Sequence, residues 1–87
     1  MSLELGVLIL NKGRPHFEAV ADNQPIIILI DTSAIMALTG GGKVDVYGST
    51  LERQRDRIHA AAQRLWSDGF TTEAEGSPAL LVTALDL

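Results

Sequence analysis

The chain has 87 residues, 46% of them hydrophobic, and a formal charge of −4. That length makes one domain with a thin stability margin, and the hydrophobic content excludes intrinsic disorder. The acidic balance repels phosphate backbones and weighs against general nucleic-acid binding.

The sequence has no cysteine. Disulfides, thiolate metal sites and thiol nucleophiles are therefore excluded, and a cytoplasmic setting is favoured, because small secreted domains usually need such staples. Near the start, "LGVLIL" from Leu5 to Leu10 predicts a strand closed by the turn cluster Asn11-Lys12-Gly13. Glu4 stands where a secretory leader would carry basic charge, so no signal peptide is expected here. No apolar run approaches the roughly 20 residues that span a bilayer, so no membrane partner is expected.

A hairpin is predicted next, from Phe17–Ala21 to Ile26–Ile30, with Asp22-Asn23 as its turn. "IIILI" is a run of branched apolar residues, which reads as a central strand, with Pro25 tolerable only as its first residue. Asp31, Thr32 and Ser33 then offer helix caps. The apolar Ile35, Met36 and Leu38 follow, and Gly40 stops a helix of about two turns. "GGGK" has half the look of a phosphate loop. It lacks the hydroxyl residue, since Val44 follows Lys43, and the first glycine, since Ala37 stands there. It reads as a loop.

Ser49-Thr50-Leu51-Glu52 fits a capping box. Leu51, Ile58, Ala62 and Leu65 then make one apolar stripe at helical period, with Ala61 and Trp66 beside it. Gly69 is the expected stop, and a long helix is predicted over Ser49–Asp68. "FTTEAEGSP" reads as a polar turn region, and "ALLVTALDL" as a final strand covering at least Ala79–Ala84. The expected fold is α+β: a small, mainly antiparallel sheet of about four strands in the order β-β-β-α-α-β, with a short and a long helix packed on one face.

Three places invite a functional reading. "LIDTSAI" resembles the opening of PIN-domain nucleases, where a strand runs into Asp-Thr-Ser-Ala and a helix. That resemblance implies a metal-dependent hydrolase in which Asp31 is one of several carboxylates on magnesium or manganese. Yet 25 residues precede the strand and 56 follow Asp31, unlike the family pattern, and the plainer reading is a helix cap. Arg53, Arg57 and Arg64 share one helix face and could grip phosphates or a carboxylate partner. Glu52 and Asp56 are interleaved with them, with Glu52–Arg55 and Arg53–Asp56 spaced as ordinary surface pairs, which favours a solvated face. His16 and His59 have no third ligand in view for zinc, and structural roles are expected for both.

The segment "LERQRDRIHAAAQRLWSDGF" and the closing "ALLVTALDL" together resemble the small bacterial proteins grouped as DUF1488. The resemblance rests on Arg55, Arg57 and Ile58, the alanine-rich stretch, a bulky residue then a glycine, and Asp86-Leu87. It covers residues 14–87 and implies a single α+β domain without implying any chemistry. The sequence therefore leads to a non-enzymatic module that binds itself, as a homo-oligomer, or another protein. It assigns no catalytic, cofactor or metal residue. Arg53, Arg57, Arg64 and Trp66 are the interaction candidates, Asp31 is the rival metal candidate, and a nucleic-acid-contacting regulator using the arginines is a third reading.

Overall fold

A computed structural model describes residues 3–9, 15–39, 51–74 and 76–87. The expected glycine-rich loop at Gly40–Lys43, the cap at Ser49 and the Asn11-Lys12-Gly13 turn lie outside these residues. Three strands come first: β1 (Leu3–Ile9), β2 (His16–Ala21) and β3 (Gln24–Ile30). Helices α1 (Thr32–Thr39) and α2 (Arg55–Ser67) follow, then strands β4 (Thr72–Ala74) and β5 (Ser77–Val82) and a 3-10 turn at Ala84–Asp86. The sheet has five strands in the order β1-β2-β3-β5-β4.

The predicted hairpin is present, and its turn explains its register. Asp22 and Asn23 both adopt positive φ, at 51° and 66°. That is the backbone of a two-residue primed turn, whose twist matches that of the strands it joins. Ala21 consequently pairs with Gln24, and Val20 with Pro25. Pro25 is the second residue of its strand, one place later than expected. Its missing N–H costs nothing, because the ladder from β3 to β5 begins only at Ile27.

The expected α+β fold with a mainly antiparallel sheet is present, with two differences in detail. The sheet has five strands because Thr72–Ala74, inside the expected polar turn, pairs with Ser77–Ala79 as an edge hairpin. The sheet is also mixed: β1–β2, β2–β3 and β4–β5 are antiparallel, whereas β3 and β5 run parallel. The helical crossover between β3 and β5 brings the chain back to the same end of the sheet, which makes a parallel pair possible. Within the closing segment the strand spans Ser77–Val82 and gives way to the 3-10 turn, where Thr83 and Asp86 form a capping box.

Both helices lie on one face, as expected. Phe17, Ile28, Ile30, Leu80 and Val82 from the sheet pack with Ala34, Ile35, Leu51, Ile58 and Ala62 from the helical segment in one buried cluster. The predicted stripe is the buried side of α2: Ile58, Ala61 and Ala62 are buried, while Leu65 and Trp66 are partly buried against the core. The expected continuous helix is interrupted at Gln54, which separates a helical turn at 51–53 from α2. Leu51 is fully buried on the near side of this break, and Glu52 spans it by pairing with Arg55 at 2.8 Å. At the other end Gly69 stops the helix with φ +79°. Its N–H donates to the Trp66 carbonyl, and the Phe70 N–H donates to that of Leu65. These are the two bonds of a Schellman stop.

Candidate interaction surface

Alternation along the strands decides what each sheet face offers. Phe17, Ala19 and Ala21 on β2 and Ile26, Ile28 and Ile30 on β3 point toward the helices and are buried. The residues between them point the other way. Pairing assembles three rows on that opposite face. One row is Ile9, His16, Leu29 and Leu81, the next is Glu18, Ile27, Ala79 and Thr72, and the third is Glu4, Val20 and Pro25. Ala79 is 1% exposed yet stands outside the main buried cluster, as a small side chain sheltered by its neighbours on the far face should.

Among the described residues, no helix or strand packs on this second face. It is largely apolar and open: Leu81 is 36% exposed, Val20 44% and Val7 61%. Two shallow hollows lie along it. One, of about 320 Å³, is bordered by Glu4, Gly6, Val7, Glu18, Val20 and Pro25. The other, of about 210 Å³, is bordered by Glu18, Pro25, Ile27 and Ser77. The first owes its shape to a bulge in β1. Gly6 and Val7 together oppose Glu18, between the pairs Leu5–Ala19 and Leu8–Phe17.

The edges of the sheet are treated differently from this face. The Arg55 guanidinium reaches from the start of α2 to β1 and donates to the carbonyls of Leu5 at 3.2 Å and Gly6 at 2.7 Å. One helical turn further on, His59 Nε2–H donates to the Leu3 carbonyl. Arg55 also lies over the Phe17 ring, 5.5 Å from its centroid, and pairs with Glu52. These bonds occupy the outward carbonyls of β1, where a further strand would need them. β4, the opposite edge, is only three residues long. Neither Arg55 nor His59 stood out in the sequence as an edge-covering residue. Their i, i+4 spacing on one helix face was visible, but their carbonyl partners lie about fifty residues away.

The sequence-predicted candidates are dispersed. Trp66 is partly buried on the helix side, and its indole N–H donates to Asp22 in the β2–β3 turn at 3.0 Å. It ties α2 to the hairpin, away from the open sheet face. Arg64 donates to the Asp86 carbonyl and pins the closing turn, whereas Arg53 and Arg57 are exposed. Asp31 caps α1. Its Oδ2 accepts from the Ser33 N–H at 3.1 Å and from the Ser33 hydroxyl at 2.6 Å, and its carbonyl accepts from the Ile35 N–H. Ser33 Oγ in turn accepts from the Ala84 N–H at 3.1 Å, which joins the cap to the closing turn. Among the described residues no three His, Asp or Glu side chains gather as a metal site would require, and no helix is long and apolar enough to cross a membrane.

No family model, curated protein or solved structure matches this chain.

Proposed function

We propose that this chain is a non-enzymatic module that works by self-association. The observation that carries the reading is the unequal treatment of the sheet: one face is sealed by both helices, and the other presents exposed Leu81, Val20 and Val7 around Ile27 and Leu29. A largely apolar sheet face on a small chain is the kind of patch that marks an interaction site. A chain of this size also gains from any burial beyond its own core. In this reading Trp66 and Arg64 are internal ties, and the contact surface is the sheet. A cytoplasmic setting and grouping with the DUF1488 proteins belong to the same proposal. The former rests on the absence of cysteine, the latter on the Arg55, Arg57 and Ile58 spacing.

Sedimentation velocity of the full chain from micromolar to millimolar concentration tests the proposal. A reversible shift from the 9.3 kDa monomer to twice that mass is expected. A single monomeric species throughout the range refutes it.

A further inference from the structure

Resting on self-association as proposed above, we infer that two copies pack open face to open face, with β2 crossing β2 in antiparallel sense and His16 of each copy against Glu18 of the other.

The argument begins with which groups can be buried. The open face carries both an imidazole and a carboxylate near its middle, on neighbouring rows of β2. Burying a carboxylate without a partner is costly, so any stable covering must bring it a donor. Two face-to-face arrangements with aligned strands have two-fold symmetry. If the axis runs along the strands, each row covers itself, and Glu18 falls on the row holding Ile27, Ala79 and Thr72, whose one side-chain donor among the described residues is a neutral hydroxyl on the edge strand β4. If the axis runs across the strands, above the inward-pointing row Phe17–Ile28–Leu80, the His16 row and the Glu18 row cover each other. His16 then meets Glu18, Leu29 meets Ile27, and Leu81 meets Ala79. The last pair sets a large side chain against a small one, which lets the faces interlock. One axis therefore satisfies charge and shape together, and it does so twice because the interface is isologous.

The two edge-to-edge routes to a dimer are closed or smaller. Extension of the sheet through β1 would have to displace the Arg55 and His59 bonds to Leu3, Leu5 and Gly6. Extension through β4 would rest on three residues. Four strands spaced about 4.8 Å apart, each about six residues long at about 3.3 Å per residue, outline roughly 400 Å² of sheet per copy. Side chains standing off that plane raise the accessible area, which places the pair at the small end of specific interfaces, near 600 Å² or somewhat less per partner. A reversible dimer follows. Twist offsets the two sheets by about 30°, which leaves the central pairs in contact.

The test uses Glu18→Lys and His16→Glu, each in the full chain, with thermal melts to confirm folding. Glu18→Lys leaves an ammonium against an imidazole with no carboxylate to accept from either, His16→Glu sets two carboxylates against each other, and each is expected to weaken self-association about tenfold or more. An equimolar mixture of the two variants restores complementary pairs at both sites, and is expected to dimerise within a few-fold of the native chain. The double variant H16E/E18K, with its pairs reversed, is expected to do the same. If the native chain dimerises and the single variants do so equally well, this interface is wrong while self-association stands. The interface is equally wrong if the mixture does not recover. If the native chain stays monomeric to millimolar concentration, the reading it rests on fails with it.

Discussion

Arg55 is the side chain whose role the structure changes most. The sequence places it beside the arginine row of α2, with Glu52 as a surface partner. In the fold that same ion pair holds the guanidinium in position to donate to two backbone carbonyls of β1 and to lie over Phe17. With about a third of the side chain exposed, its contribution is discounted for solvent screening. Arg55→Ala is expected to lower stability by about 1–2 kcal/mol, read as a reduced urea midpoint. Arg55→Lys should recover only part of this, since an ammonium cannot reach carboxylate and carbonyls with one planar fork. Asp31 makes the contrasting case. As a helix cap it is replaceable by asparagine, so Asp31→Asn is expected to cost less than about 0.5 kcal/mol and Asp31→Ala about 1 kcal/mol. Millimolar magnesium is expected to leave the melting temperature of both the native chain and Asp31→Asn unchanged. A metal-induced rise that Asp31→Asn abolishes would restore the carboxylate-centre reading.

At the scale of elements, the bulge in β1 matters more than its length. Two residues of β1 face one of β2, and a Cβ built on Gly6 would stand 2.8 Å from the Glu18 carbonyl oxygen. A backbone atom in a paired strand cannot retreat, so Gly6→Ala must open the β1–β2 ladder or unwind the bulge. A loss of about 1–3 kcal/mol is expected, typical of overpacking, with faster amide exchange on β1 as its local signature. The helix elements were easier to anticipate. The α2 stripe and its Gly69 stop follow from period and from the need for a left-handed residue, both local properties. The break at Gln54 did not follow, because nothing in the local pattern separates Leu51 from Ile58. β4 was also missed. Its three residues, Thr72, Glu73 and Ala74, include no large apolar side chain and are too few to show alternation, and they form a strand only because β5 offers an edge.

At the scale of the whole molecule, the helices divide the sheet into a dry face and an open one. The core on the helix side includes Phe17, Ile28 and Leu80, each at 0% exposure, while the far side leaves its apolar rows in water. If that face is covered by a second copy, stability becomes a function of concentration by mass action. The melting temperature is expected to rise by a few degrees across a hundredfold increase in protein concentration, measured by scanning calorimetry. A transition that does not move with concentration would count against self-association through any surface.

The hairpin, the cap at Asp31, the apolar stripe and the stop at Gly69 were legible in the sequence, because each is dictated by residues a few positions apart. Turn chemistry, capping and periodicity act over that range. The parallel pairing of β3 with β5, the fifth strand, the bonds from α2 to the edge of β1 and the position of Trp66 over the β2–β3 turn belong to the tertiary structure alone. Each depends on which distant segments the core brings together. The open face is the clearest case. "IIILI" announced a strand able to be buried on both sides. Only the packing of both helices on one side showed that Ile27 and Leu29 were left outside the core.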